Sequence, residues 1–183
     1  RARAGMPSWA ADMAREPRPH QPGLVVTLIA TALGAGFVPV APGTAGTAVA
    51  VPLAWAAARL GEAGYLLILV AVTAFGIWAA DCYEEATGTK DNQRIVIDEV
   101  AGYLLTLAAV PRGPFNLVVG FGLFRLFDVW KPWPVRWLDE KVGGGLGVVA
   151  DDLGAGLYGG LILWVLDRLD VVRMLSSSLG AQL

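Results

Sequence analysis

Histidine and cysteine are almost missing from this chain, with one of each in 183 residues. The histidine, His20, sits in a Pro/Arg-rich arm outside every apolar segment. That excludes histidine-based phosphoryl transfer and a Ser–His–Asp hydrolase. The cysteine, Cys82, excludes a disulfide framework within the chain and a multi-cysteine metal site. It also lacks the downstream Arg-containing loop of a cysteine phosphatase and reads as an apolar filler. Charge is scarce too: Asp, Glu, Lys and Arg make up 16% of residues, with a net charge of −2. A chain so poor in positive charge could not neutralise many phosphates, which excludes a nucleic-acid partner. No strand-like alternation and no fixed repeat is visible, and no Asp-x-Asp pair opens a strand as in a soluble aspartyl-phosphate hydrolase. Residues 1–23 lack the apolar core of a secretory signal, so none is expected there.

What is present is apolar. Hydrophobic residues make up 55% of the chain and the mean hydropathy is +0.55, values that point to a membrane protein or a very apolar bundle. We expect a polar tail over 1–23, with a short helix at 8–15 capped by Ser8, one membrane domain over 24–175, and a tail over 176–183. Residues 24–38 are apolar. GFVPVAPGTAGT (36–47) is interrupted by Pro39, Pro42 and Gly43 and is not expected to be regular helix. Helix resumes at 47–59, with a kink predicted at Pro52. Each piece is short of the ~20 residues that span a bilayer, so 24–59 reads as one broken or re-entrant element. The uncharged run 63–80 is the cleanest span. After the polar stretch 81–94 come three more apolar segments, 95–110, about 115–130 and about 151–169. The expected fold is all-α, a polytopic membrane bundle of about five or six helices. Lys and Arg gather in the N-terminal tail, in 81–94 and after Phe127. The positive-inside rule assigns all three to the cytoplasmic side, and Trp130, Trp133 and Trp137 fit an interfacial belt there.

Against this apolar background six charges are out of place: Asp98, Glu99, Arg125, Asp128, Asp151 and Asp152. A charge in a hydrophobic segment costs ~3 kcal/mol on insertion scales. Such groups persist when they face one another, a metal or a wet cavity. Arg125 and Asp128 share a helix face, and Lys131 follows three residues on. Arg suits phosphate because its planar fork bonds two oxygens, so Arg125 and Lys131 are candidate phosphate ligands and Asp128 a candidate metal ligand; a local ion pair is the plainer reading. Asp98 and Glu99 are adjacent and point about 100° apart, so one of the two is expected to face a given centre; they also suit a helix start. Gly102, one turn below Asp98, admits a close neighbour. Asp151 and Asp152 follow a glycine run and open the last apolar helix, where one Asp would serve as a cap. Gly156 and Gly160 make a small-xxx-small packing face. PGTAGT (42–47) offers free amides to an anion but is no Walker A loop. Asp81, Glu84 and Glu85 read as a solvated face. Carboxylate oxygens select Mg²⁺ or Mn²⁺. A hard cation beside basic groups at a membrane surface suits phosphoryl chemistry on a lipid headgroup.

Four blocks together resemble the phosphatidylglycerophosphatase A family: GAGFVPVAPGTAGT (34–47), IDEVAG (97–102) preceded by TGTKD (87–91), FRLFDVWKPWPVRWLD (124–139) and GGLGVVADDLGAG (144–156). Ile97 stands where the family usually has Trp, and Asn92 where it has Pro. The resemblance implies a Mg²⁺-dependent membrane phosphatase that converts phosphatidylglycerophosphate to phosphatidylglycerol and inorganic phosphate. It implies a multi-pass protein of the bacterial inner membrane with its site toward the cytoplasm. The family's acids map onto Asp98, Glu99, Asp128, Asp151 and Asp152, and its bases onto Arg125 and Lys131. The expected division has Asp128, Asp151 and either Asp98 or Glu99 on Mg²⁺. Arg125 and Lys131 grip the phosphomonoester, and Asp152 or Glu99 serves as base. Thr44 and Thr47, or amides around Gly43 and Gly46, line the phosphate site. A transporter or channel that uses the acids for cation or proton coupling is the second reading. Oligomeric state is left open.

Overall fold

The computed structural model describes residues 20–169, apart from the side chain of Asp139. The expected helix at 8–15 and the C-terminal tail lie outside that range. All regular structure among the described residues is helical. The α-helices are α1 (Leu24–Ala30), α2 (Pro42–Ala57), α3 (Gly61–Thr87), α4 (Ile97–Thr106), α5 (Pro114–Trp130), α6 (Val135–Lys141) and α7 (Gly144–Arg168). Five run ten residues or longer, which agrees with the expected bundle. The stretches Pro42–Thr87 and Gly144–Arg168 are long and apolar enough to cross a membrane, consistent with a helical membrane protein. Exposed Leu66, Leu67, Val70, Phe75 and Trp78 on α3, and Leu157, Leu161 and Trp164 on α7, give the bundle a greasy exterior, an arrangement that hydrocarbon tolerates better than water.

The N-terminal element does turn back on itself. His20 donates its N–H to the Ala86 carbonyl at one end of the bundle. α1 runs inward from there, and the Val96 N–H closes on the Ala30 carbonyl. The chain then turns through Ala32, Leu33 and Gly34, all at positive φ. Thr31 pins the turn: its hydroxyl donates to the Thr27 carbonyl at 2.7 Å and accepts the Gly34 N–H at 3.1 Å. A short 3-10 turn, Ala35–Phe37, brings the chain back until Gly36 lies against the Arg94 backbone with no room for a Cβ. Regular helix then begins at Pro42, five residues earlier than expected. Proline costs nothing in the first helical turn, where its missing N–H would have had no partner. Pro42 therefore starts α2 instead of interrupting it, and the PGTAGT segment is helical.

From α2 onward, contacts fix the direction of each helix. Pro42 and Gly43 lie at the same end as Asp98, Asp128 and Asp151. Glu62, at the start of α3, pairs with Arg112 beyond α4 at the other end. Asn116 meets Asp167 there too. The helices α2, α3, α4, α5 and α7 thus alternate in direction, and the segments 87–96 and 131–143 share one end with His20. Two of the three positively charged stretches thus share an end; the charges of the N-terminal tail lie outside the described residues. The helix α7 is the hub, touching α3, α4, α5 and α6. It crosses α4 where Gly156 lies against the Gly102 backbone, too close for any side chain. Gly160 lies a turn further on, its Cβ direction 3.1 Å from the Thr106 carbonyl. This is the small-residue packing that the glycine spacing predicts. The Thr106 hydroxyl sits between the Gly102 and Gly156 carbonyls, at 3.0 and 3.3 Å. The buried tyrosines also find partners: Tyr65 donates to the Leu104 carbonyl at 2.7 Å and Tyr103 to Leu117 at 2.8 Å.

Candidate active site

At the end of the bundle that holds the basic loops, four helices and one loop enclose a cavity of about 390 Å³. Asp98 and Glu99 reach it from the first turn of α4. Arg125 and Asp128 reach it from the last turns of α5. Lys131 follows at the α5 C-cap, in a left-handed conformation (φ 46°) that ends the helix just before Pro132. Asp151 and Asp152 come from α7. They are not at its start: α7 begins at Gly144, two turns earlier, so neither is an N-cap. The helix cap comes from α3, where the Asp81 carboxylate accepts the Gly145 N–H. Asp81 is thus a structural tie as well as part of a solvated face. The expected glycine loop is helical because Gly145 packs on the Ile77 carbonyl, where a side chain would not fit.

The charges divide into two sets. Arg125 Nη1 lies 2.6 Å from Asp128 Oδ2 and 3.8 Å from Glu99 Oε1. Lys131 Nζ lies 2.7 Å from Asp151 Oδ2. Asp128 and Asp151 therefore each hold a cation in position. The remaining acids, Asp98, Glu99 and Asp152, face one another, with one oxygen from each within 4.8 Å of the others. Asp98 Oδ1, Glu99 Oε2 and Asp152 Oδ2 are buried without a hydrogen-bond partner. Carboxylate oxygens buried without a partner are costly, so the cluster suits a further positive charge from outside the chain. Ligand oxygens across an ion with bonds of ~2.0–2.6 Å stand ~4–5 Å apart. The three carboxylates fit that spacing, and their all-oxygen donor set fits a hard cation; they could hold a metal ion. The expectation that one of Asp98 and Glu99 would face the centre is corrected. Both do, because the longer Glu99 side chain makes up for its angular offset.

Other expectations fare differently. Thr47 is buried and its hydroxyl is spent on the Gly43 carbonyl at 2.9 Å. Thr44 is exposed, and neither threonine lines the cavity. Their intended place is taken by Gly43, which lies against Glu99 Oε1 so closely that a Cβ would collide with it. Gly46 is packed against Val96 instead. Asp91, Asn92 and Gln93, none of them proposed as a site residue from the sequence, also line the cavity. The Asp91 N–H donates to Glu84 Oε1, so Glu84 anchors this loop to α3. Asp91 has a left-handed backbone (φ 49°). The signal available for them was the TGTKD block next to the acids. Cys82 is partly buried and belongs to no cluster among the described residues.

Comparison with known proteins agrees on one lineage. The family model for phosphatidylglycerophosphatase A matches residues 28–167. The chain is 36% identical to phosphatidylglycerophosphatase A of Escherichia coli (strain K12) over 138 residues, 75% of this chain and 80% of that protein. It is 34% identical to phosphatidylglycerophosphatase A of Haemophilus influenzae over 152 residues, 77% of this chain and 88% of that one. A Bacteroides thetaiotaomicron protein with the name "putative phosphatidylinositol-3-phosphatase" is 39% identical over 156 residues, 79% of this chain and 95% of that one. No solved structure gives a significant match.

Proposed function

The chain belongs to the phosphatidylglycerophosphatase A family, and on that premise we propose that it is a Mg²⁺-dependent phosphatase that releases inorganic phosphate from phosphatidylglycerophosphate. It is a phosphoric monoester hydrolase by kinship with named phosphatases, so the transporter reading is not carried further. One observation carries the proposal: Asp98, Glu99 and Asp152 converge beside two cations, Arg125 and Lys131, in a single cavity.

The chemistry follows from the two charge sets. Arg125 and Lys131 bind the non-bridging oxygens of the phosphomonoester, each kept in place by its acid, Asp128 or Asp151. The first turn of α2, at Pro42 and Gly43, turns a helix N-terminus toward the same cavity and adds partial positive charge. When bound, Mg²⁺ would sit on Asp98, Glu99 and Asp152 and neutralise charge that develops on the phosphoryl group. A carboxylate oxygen of Asp152 or Glu99 not engaged in that role accepts a proton from the attacking water. The water oxygen forms the new bond to phosphorus and the bond to the glycerol oxygen breaks. That oxygen takes up a proton, leaving phosphatidylglycerol and inorganic phosphate. Two cations aimed at the oxygens before reaction stabilise the transition state without reorganisation.

Orientation has support from charge. Lys90, Arg94, Lys131, Arg136 and Lys141 lie at the site end of the bundle, against Arg59, Arg112 and Arg168 at the other. We assign the site to the cytoplasmic face of a bacterial inner membrane by the positive-inside rule. The test is phosphate release in detergent from phosphatidylglycerophosphate, phosphatidic acid and phosphatidylinositol 3-phosphate, with and without Mg²⁺. The expected result is release from the first substrate, abolished by chelator and by Asp128→Asn. Equal rates on all three would refute the specificity, and undiminished release under chelation would refute the metal.

A further inference from the structure

A second cavity of about 530 Å³ adjoins the first and shares Pro42, Asp91, Asn92 and Gln93 with it. Its character is different. The catalytic cavity is crowded with acids; the second is walled on one side by Phe37, Val38 and Pro39 and on the other by Thr89 and Arg94. Arg94 is the cation among these lining residues, and no carboxylate pairs with it among the described residues. Its main chain is nevertheless held in place. The Arg94 N–H donates to Asn92 Oδ1 at 3.1 Å. The Arg94 backbone lies against Gly36, where no side chain could intervene. The guanidinium of this exposed side chain stands 5.4 Å over the Phe37 ring. Beside it, Phe37, Val38 and Val40 are exposed at 51, 42 and 78%. These apolar side chains stand at the mouth of a polar cavity, where acyl chains would begin.

A guanidinium on a held main chain, with no carboxylate partner among the described residues, suits an oxyanion. The catalytic cavity already accounts for the phosphomonoester. Resting on the substrate reading above, we propose that the second cavity is a subsite for the phosphodiester that links the headgroup to diacylglycerol, with Arg94 as its specificity-determining cation. A headgroup with two phosphates joined by a glycerol then lies across both cavities, over the shared rim of Asp91, Asn92 and Gln93. A lipid whose single phosphate is the scissile one leaves Arg94 without a partner. The diester also has a rival source, the headgroup of a neighbouring anionic lipid, and the experiment separates the two.

The full chain is assayed in neutral detergent micelles, free of other phospholipid, on phosphatidylglycerophosphate and phosphatidic acid with matched acyl chains. Wild type, Arg94→Gln and Arg94→Lys are compared, with thermal melting as a check on folding. Arg94→Gln is expected to raise KM for phosphatidylglycerophosphate about tenfold with kcat within twofold, a change the size of one charge-assisted contact. The preference over phosphatidic acid falls by the same factor, and Arg94→Lys, which keeps the charge and loses the planar fork, keeps part of it. If both substrates weaken equally, or neither does, the subsite is overturned. It is also overturned if the loss occurs in anionic vesicles and not in micelles, because Arg94 then serves neighbouring lipids. A wild type without preference for phosphatidylglycerophosphate overturns the substrate reading itself, whereas a preference that survives Arg94→Gln overturns the subsite alone.

Discussion

Gly43→Ala separates catalysis from folding. Gly43 sits in the first turn of α2, and a methyl group there would overlap Glu99 Oε1 and come within 3.1 Å of Arg125 Nη1. Both neighbours are the far ends of flexible side chains, so they swing aside and the helix does not move. Replacing glycine by alanine in a helix favours folding by ~0.5–1 kcal/mol, which offsets the cost of the displaced carboxylate. The melting temperature of the solubilised protein should therefore stay level or rise by a few degrees. Activity should not. Glu99 must retreat by about an ångström, and a misplacement of that size costs ~10²-fold in rate, or ~2.7 kcal/mol of barrier. Phosphate release and thermal melting on the same preparation provide both readings. Gly46→Ala is the contrast. Its methyl meets Val96 Cβ at 2.7 Å and the Val96 carbonyl at 2.8 Å, groups that cannot rotate away, and overpacking of that kind costs ~1–3 kcal/mol of stability. A Gly43→Ala protein with kcat/KM within threefold of wild type would refute the assignment of Glu99 and Arg125 to the reacting centre.

Asp152→Asn should cut activity by ~10² or more and weaken metal binding, measured by titration calorimetry, while melting is unchanged or higher because one of three facing carboxylates loses its charge. Loss of stability with activity intact would contradict the cluster's role. Arg125→Lys keeps the charge and loses the planar fork; kcat/KM should fall ~10–100-fold, and steady-state kinetics that match wild type would argue against a two-oxygen grip. Asp81→Ala removes the cap on α7 and should lower stability by ~1 kcal/mol in a denaturation experiment, with kcat/KM within threefold; no change in melting would mean that the Gly145 N–H finds water instead. Chelation followed by dialysis should abolish phosphate release and added Mg²⁺ should restore it, a result read directly in the release assay.

Apolar segments and the charges inside them were legible because both are written one residue at a time. The acids at 98, 99, 128, 151 and 152, with Arg125 and Lys131, all line the one cavity. What the sequence could not convey was how they divide. Asp128 and Asp151 differ from Asp152 only in which cation ends up beside them, and that depends on how α5 and α7 pack. Helix boundaries were misjudged where glycine and proline were read as breaks. Pro42 costs nothing at a helix start, and Gly145 and Gly147 lie inside α7 against the Ile77 and Val142 carbonyls, where a side chain would not fit. Thr44 and Thr47 drew attention as hydroxyls, yet a helical threonine readily turns its hydroxyl onto the carbonyl one turn back, and Thr47 does so. Asp91, Asn92 and Gln93 were not proposed as site residues, because a polar loop looks like any other until Glu84 ties it over the cavity.

The acids on α4 and α7 stand one turn above Gly102 and Gly156, where the two main chains touch. Like charges repel, and this backbone contact, with the Thr106 hydroxyl bonded across it, resists their separation. Folding thus carries the work of gathering the three carboxylates, and a cation that bound there would reinforce the fold in turn: a change that loosened the glycine crossing would lower its affinity.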